Sequence, residues 1–234
     1  MVRGLPQPGG SAPFVSGGAP QVPPGRRSRD DVVRAAARLF AERGYHGTSM
    51  RDLGDTLGLV GSSLYAHIGS KNELLEEIVS NGVQLCLDLA ERVLSSGEGP
   101  LEKLRALIVG HAGLVGVNIE SWAAFAIEYR FLPDEQRERV VQLRDRYQSA
   151  YRTVLKDGVA DGTFREDLDD HLVATTLLSL LNAMSGWYRP VGELSAEELG
   201  ERIFDVISRG IGPDARQETI SPQISQQIGP ETVM

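Results

Sequence analysis

The sequence predicts an all-α protein in which a short N-terminal group of three helices precedes a longer helical body. Three observations carry this prediction. Apolar residues recur at spacings of three and four through most of the chain. Residues that cap helices stand where these segments begin. No sustained apolar–polar alternation of the kind that marks strands is present.

Length and composition exclude several classes of protein. The chain has 234 residues, a length that suits one large domain or two smaller ones. No apolar run approaches twenty residues, and the mean hydropathy is −0.18, so we expect no transmembrane helix. The single cysteine, Cys86, excludes a disulfide framework and any zinc or iron–sulfur site built on paired cysteines. The four histidines are scattered, and we expect neither a metal site nor a cofactor.

The net charge of −8 hides an uneven distribution. Residues 1–71 carry nine basic and five acidic side chains, a net charge of +4. Residues 72–234 carry 15 basic and 27 acidic side chains, a net charge of −12. Because phosphate neutralisation needs only a local basic surface, the N-terminal part alone is the candidate for contact with a polyanion.

Both ends of the chain have the composition of tails. Residues 1–25 contain six prolines and six glycines and too few apolar side chains to offset the entropy of ordering, so we expect a disordered segment. This segment lacks the compact apolar core of a secretory signal, so we expect a cytoplasmic protein. Residues 212–234 are polar and interrupted by proline, and we expect a second flexible tail.

The first helices are marked by their caps. Ser28 with Asp31 forms the start of a capping box, and the apolar residues that follow share one helical face. Ser49 with Asp52 starts a second helix, which stops at Gly58. A third helix starts at Ser62 or Ser63 and ends by residue 68, and a fourth starts at residue 71.

The later helices are longer, and glycine and proline separate them. The helix over 168–187 is apolar on more than one side, which indicates burial by a second partner in addition to its own core. We predict these helices at 71–96, 100–118, 120–131, 134–160, 168–187 and 195–210.

Residues 49–68 have the pattern of a helix-turn-helix, with helices at 49–57 and 62–68 and a glycine-containing turn at 58–61. In this motif the second helix lies in the major groove of DNA and presents its first residues to the bases. Small residues there, such as Gly61, Ser62 and Ser63, permit close approach to the duplex. The same spacing also occurs in ordinary helical bundles, so spacing alone leaves both interpretations open.

The motifs in this part of the chain resemble the N-terminal domain of the TetR family of bacterial transcriptional regulators. The resemblance covers residues 28–80 without a gap and rests on segments 37–49, 53–58, 63–67 and 70–75. It implies an all-α homodimer that binds a palindromic operator and is released by a small ligand. It also implies a helix-turn-helix DNA-binding domain at 26–72, followed at 73–211 by a ligand-binding and dimerisation domain.

The resemblance implies roles for individual residues of the DNA-binding domain. Thr48, Tyr65 and Lys71 are expected to contact phosphates, and Thr48 and Ser49 start a helix whose N-terminus favours phosphate. One departure is Ile68-Gly69, where the family usually has an aromatic residue followed by a polar residue or proline. The positions expected to face the groove are Gly61, Ser62, Ser63 and His67.

Residues 120–210 resemble a subgroup of the same family that responds to acyl-CoA thioesters in the catabolism of fatty acids, aromatic acids or sterols. The segments that carry the resemblance are 128–133, 158–164 and 182–190. A thioester needs an apolar slot together with cations or N–H donors. The candidate ligand-binding residues are Trp122, Phe125, Tyr129, Arg130, Tyr147, Met184, Trp187 and Arg189.

Competing interpretations of these residues remain open at this point. Aromatic residues at helical spacing are more often core than pocket, and His111 on an apolar helix is expected to be a core histidine. The arginines between positions 137 and 146 alternate with acids, which is typical of a solvated face.

The sequence therefore predicts a repressor that binds double-stranded operator DNA as a homodimer and responds to a small hydrophobic effector, with an acyl-CoA thioester favoured. The dimer interface is expected from the last two long helices. The alternative is a multidrug-type repressor that responds to hydrophobic or cationic drugs, and the charge of the pocket lining would discriminate the two. No nucleophile–base pair or nucleotide-binding motif is present, so we expect no enzymatic activity.

Overall fold

The computed structural model describes residues 28–59, 69–117, 119, 122 and 128–213. Within these residues the fold is all-α, as predicted, with seven α-helices, one short 3-10 helix and no strand. The α-helices are α1 Arg29–Arg43, α2 Met50–Leu57, α3 Lys71–Leu94, α4 Pro100–Val117, α5 Asp134–Ala160, α6 Asp170–Trp187 and α7 Ala196–Ile211, and the 3-10 helix is Glu128–Phe131.

The helix starts follow the caps that the sequence contains. The Ser28 and Ser49 side chains each accept a hydrogen bond from the backbone of an aspartate three residues later, and both capping boxes are complete. The serine before α3 accepts a hydrogen bond from the backbone of Glu73. Helix α2 ends at Gly58, which has a left-handed backbone with φ of 65° that a glycine adopts without a steric cost.

The predicted boundaries agree with the structure to within about two residues for every helix that lies wholly in the described part of the chain. The segment predicted as a helix at 120–131 differs, because its last turn is the 3-10 helix Glu128–Phe131. Ile119 and Trp122 are helical, and the rest of the segment lies outside the described residues. The predicted helix at 62–68 and the greater part of both predicted tails also lie outside them.

Helix α4 is the centre of the C-terminal body and packs against α3, α5, α6 and α7. Its fully buried face includes Leu104, Leu107 and Ile108. The approach of α7 is especially close at Gly200, where an added Cβ would lie 2.9 Å from the Cα of Val109. A side chain at this position would therefore push the two helices apart.

The N-terminal helices α1 and α2 pack against each other, and α1 also packs against α3. Helix α3 thus belongs to both parts of the molecule, because its later turns pack against α4 and α5. Two adjacent glutamates of α3 accept hydrogen bonds from arginines of different helices. Glu77 pairs with Arg29 of α1, and Glu76 pairs with Arg139 of α5. No helix of the described segments is long and apolar enough to cross a membrane.

Candidate functional site

The start of α2 shows how the predicted phosphate-binding residues are placed. Ser49 is exposed, and its hydroxyl and backbone N–H are both bonded to the carboxylate of Asp52. The side chain of Thr48 is 1% exposed, and its hydroxyl lies 3.2 Å from the carbonyl oxygen of Leu39 and 3.0 Å from that of Gly44. The Thr48 hydroxyl therefore holds the start of α2 against the end of α1, and a phosphate contact from Thr48 stays a prediction.

Lys71 lies at the start of α3, against the ring of Tyr45. Its ammonium nitrogen is 4.1 Å from the ring centroid, a cation–π contact. Partial burial lowers the pKa of Lys71, and the nearby carboxylates of Asp52 and Glu128 oppose that shift. The contact of Lys71 with a phosphate stays a prediction. The other residues predicted for DNA binding, Gly61, Ser62, Ser63, Tyr65 and His67, lie outside the described residues.

A cavity of about 190 Å³ lies in the C-terminal body, between α3, α4, α5 and α6. Its walls combine apolar side chains with hydroxyl, amide, imidazole and guanidinium groups. The Gln148 amide of α5 donates a hydrogen bond of 2.8 Å to the Thr175 hydroxyl of α6, and both residues line the cavity. The lining residues are Val83, Cys86, His111, Arg144, Asp145, Tyr147, Gln148, Thr175, Leu178, Ser179 and Asn182.

The structure brings some of the predicted ligand-binding residues to this cavity. Tyr147 lines it directly. Trp122 stands behind the lining, where its ring meets the His111 ring edge-on with centroids 5.3 Å apart. The Trp122 indole N–H also donates a hydrogen bond of 3.3 Å to Oδ1 of Asn182. Met184 is fully buried in the core and is not part of the lining.

Other predicted ligand-binding residues lie elsewhere. Trp187 is 50% exposed at the end of α6, and neither it nor the exposed Arg189 lines the cavity. The end of α6 turns these two side chains outward, and their part in ligand binding stays a prediction. Arg130 is exposed and lies over the ring of Phe131, 5.0 Å from its centroid. Phe125 lies outside the described residues.

His111 is a lining residue that the sequence analysis assigned to the core. It is 1% exposed, and burial together with the charge of Arg144 lowers its pKa to about 3. Its Nε2 atom is buried, and a hydrogen-bonding contact with the Asn182 side chain opposes the lowering of the His111 pKa. Only its neighbours could have identified it as a lining residue, because a lone histidine on an apolar helix carries no further signal.

Arg144 was assigned to a solvated face but is half-buried, and it also lines the cavity. Its guanidinium lies 4.4 Å from the ring centroid of Tyr129, which belongs to the 3-10 helix. Beside it, burial raises the pKa of the Cys86 thiol to about 12, so this side chain is a neutral part of the wall. The described residues contain no cluster of histidine, cysteine and carboxylate side chains that could hold a metal ion.

The 3-10 helix connects the cavity wall with the N-terminal helices. Tyr129 contacts Arg144 on one side of it, as described above. Phe131, two residues later, stacks on Tyr45 with ring centroids 6.1 Å apart and planes within 10°. The same phenyl ring meets the His46 ring edge-on at 4.4 Å. Arg144, which lines the cavity, is therefore connected to the segment that leads into α2 through Tyr129, Phe131 and Tyr45.

Helices α6 and α7 both present apolar side chains to solvent. Leu172 is 60% exposed, Trp187 50% and Val206 69%. Leu180 is also exposed on α6, at a helical spacing from Leu172 that places both on one face. Large apolar side chains exposed along a helix favour a surface that another molecule covers.

The fold and the site together define a class of protein. A segment with the sequence pattern of a helix-turn-helix, of which the structure describes the first helix, precedes a helical body that contains a cavity and exposes apolar side chains. These are the features of a ligand-responsive DNA-binding regulator.

Comparison with known families agrees with this class. Residues 32–78 match the bacterial regulatory proteins of the tetR family. Residues 97–211 match the tetracyclin repressor-like C-terminal domain. The chain belongs to the TetR family of transcriptional regulators.

Individual relatives place the chain more narrowly. It is 32% identical over 195 residues to the HTH-type transcriptional repressor KstR2 of Mycolicibacterium smegmatis. This alignment covers 82% of the present chain and 95% of KstR2. The crystal structure of PfmR from Thermus thermophilus matches with a TM-score of 0.71 and 36% identity, over 76% of this chain and 97% of that one. The structure of AibR in complex with isovaleryl coenzyme A and operator DNA matches with a TM-score of 0.70 and 25% identity, over 76% and 96%.

Proposed function

We propose that this protein is a transcriptional repressor that binds a palindromic operator as a homodimer and is released by a small acyl-CoA thioester. The DNA-binding domain comprises residues 26–72, and residues 73–211 bind the effector and form the dimer. Residues 1–25 and 212–234 are tails in this proposal.

The observation that carries the proposal is the continuous set of contacts from the cavity to Tyr45, in the segment that leads into α2. Arg144 lines the cavity and stacks on Tyr129, and Phe131 of the same helical turn stacks on Tyr45. A ligand that displaces Arg144 moves the 3-10 helix and with it the contact on the N-terminal helices. A ligand shifts the equilibrium between the DNA-binding and the released conformation only by its differential affinity for the two. Arg144 supplies that difference in this proposal, because it both lines the cavity and contacts Tyr129.

The thioester class is supported by the relatives and by the charge of the cavity. AibR is described as binding isovaleryl coenzyme A, a thioester with a short acyl chain. The half-buried charge in the lining is the cation Arg144, whereas Asp145 is exposed. A cationic drug would meet a like charge inside the cavity, so the drug-responsive alternative is the weaker of the two.

The homodimer is supported by the apolar face of α6 and α7. A two-fold interface uses the same surface on both chains, and two helices from each chain form a four-helix bundle. The exposed leucines of α6 together with Val206 of α7 supply apolar side chains for such an interface. The dimer would set the spacing between two recognition helices at about 34–36 Å, one turn of DNA.

The test of the effector is a gel-shift titration on the DNA upstream of the protein's own gene. The complex is challenged with acyl-CoA thioesters of two to eight carbons, with their free acids and with free coenzyme A. Release by a thioester but not by its acid or by coenzyme A supports the proposal. If no thioester releases the DNA but hydrophobic cations do, the result would support the drug-responsive alternative instead.

The test of the DNA contact uses the salt dependence of binding. Replacement of Lys71 by Gln should weaken binding to all sequences by a similar factor. It should also reduce the slope of log K against log salt by about 1, as loss of one phosphate contact does. The matched control is Lys156→Gln on α5, which removes the same charge from the C-terminal body and should leave the slope unchanged. An unchanged slope for Lys71→Gln would remove this residue from the DNA interface.

A further inference from the structure

Lys71 differs from nearby cations of the N-terminal helices in the kind of group that holds it. Arg29 and Arg43 each pair with a carboxylate, at 2.7 Å and 3.7 Å. The Lys71 ammonium forms no ion pair with any residue that the structure describes, and lies instead 4.1 Å from the centroid of the Tyr45 ring. Its contact is therefore with a neutral group.

A neutral contact leaves the charge of Lys71 available to a phosphate. A carboxylate in an ion pair cancels the charge of its cation and competes with a phosphate for it, whereas the face of an aromatic ring attracts a cation without carrying a net charge. An ammonium has three N–H donors, and a ring on one side leaves the others free to bind elsewhere. Asp52 and Glu128, which lie beyond ion-pair distance, favour the charged form of Lys71 and raise its pKa against the effect of burial.

The ring that holds Lys71 is itself fixed from several sides. Tyr45 is 6% exposed, meets the Phe40 ring edge-on at 5.3 Å and stacks on the Phe131 ring at 6.1 Å. Its hydroxyl donates a hydrogen bond to Oδ1 of Asn72, the residue that follows Lys71 on α3. A lysine side chain loses much rotamer freedom when it binds a phosphate, and a fixed ring restricts that freedom before DNA arrives.

We propose that Tyr45 is a positioning residue for DNA binding, whose ring holds the charged Lys71 ammonium where an operator phosphate binds. The proposal rests on the proposed function in taking Lys71 as a phosphate contact. Tyr45 is buried and acts through Lys71 without touching DNA itself. Because Phe131 stacks on the same ring, the contacts that lead from the cavity end at the residue that holds this charge.

The test is a double-mutant cycle on the affinity of the full-length protein for the DNA upstream of its own gene, measured by fluorescence anisotropy without effector. Tyr45→Leu removes the ring and should weaken binding about fivefold, the factor that one cation–π contact produces. The matched control Tyr45→Phe keeps the ring and loses only the hydroxyl, and its affinity should stay within about twofold of the wild type. In a Lys71→Gln background, Tyr45→Leu should cost less than about twofold, because the ring has no cation to hold.

The outcomes separate this proposal from the proposed function. An equal loss for Tyr45→Leu with and without Lys71 would show that the ring only supports the fold, and overturns the positioning role. A Tyr45→Phe variant as weak as Tyr45→Leu, or a Tyr45→Leu variant as tight as the wild type, overturns it as well. These three outcomes leave the phosphate contact of Lys71 standing. If Lys71→Gln alone leaves the affinity unchanged, the phosphate contact fails and the positioning role fails with it.

A measurement on the wild type tests the proposal even if the Tyr45 variants do not fold. The chain has three lysines, so labelling lysine with ¹³C at Cε gives three NMR signals, and Lys71→Gln assigns one of them. The Tyr45 ring current should shift the Lys71 ε protons upfield of those of Lys103 and Lys156, which contact no ring in the described part of the chain. The shift should persist when the upstream DNA is bound. A Lys71 signal that coincides with the other two, in the free protein or on DNA, overturns the proposal.

Discussion

Burial of a neutral His111 makes the stability of the folded protein depend on pH in a way that one substitution isolates. The pKa of this histidine falls from 6.5 to about 3 in the folded protein. As the pH falls through 6.5 the unfolded chain takes up a proton that the folded protein does not. The free energy of unfolding therefore decreases toward acid pH, and the contribution is fully present only above the unfolded pKa.

The size of this effect follows from the two pKa values. Between pH 7 and pH 5 the unfolded histidine changes from mostly neutral to mostly protonated, while the folded one stays neutral. Proton linkage then removes about 2 kcal/mol of stability over this interval. The value depends little on the folded pKa as long as that pKa lies well below 5.

The measurement is urea unfolding of the wild type and His111→Gln at pH 7 and pH 5, at one protein concentration. The wild type should lose about 2 kcal/mol more than the variant between the two pH values. The other three histidines are the same in both proteins, so their contributions cancel. An equal loss in both proteins would show that His111 is not held neutral in the folded protein.

Three further predictions address other parts of the molecule. Thr48→Val should lower the free energy of unfolding by about 1–2 kcal/mol in urea titrations, because buried carbonyls lose their hydroxyl donor; unchanged stability with weaker DNA binding would instead support its phosphate role. Leu180→Lys should convert the dimer to a monomer in sedimentation velocity experiments, since it places a charge in the apolar face of α6, and a wild type that is already monomeric would contradict the proposed interface. Phe131→Ala should keep DNA binding but raise the effector concentration for half-release in a gel shift by roughly two- to thirtyfold, the range expected for a lost coupling contact; an unchanged concentration would exclude the stack on Tyr45 from the response.

Most of the helical framework was predictable from the sequence, because its signals are local. A capping box such as Ser28–Asp31 acts over four residues, and a helix-ending glycine such as Gly58 acts through its own backbone. The family resemblance at residues 28–80 is likewise a pattern of short spacings. These features need no knowledge of which helix packs against which.

The cavity was predicted only in part, because its lining depends on contacts between distant segments. Arg144 lies in an arginine-rich helix whose charges alternate, and its sequence context is that of a solvated face. The packing of α5 against α3 and α4 turns this one arginine inward. Trp187 illustrates the opposite case, because its sequence context is that of a pocket residue although its side chain is half exposed at the end of α6. The direction of that helix end cannot be read from the sequence.

The sequence by itself determined the fold class, the limits of most helices and the family, because periodicity, capping and motif spacing are properties of neighbouring residues. Only the tertiary structure decided that Thr48 is turned inward and that His111 lines a cavity. The burial of a side chain and the partner that each polar atom finds are set by residues far away in the chain. The chemistry of the site is therefore a property of the packed molecule.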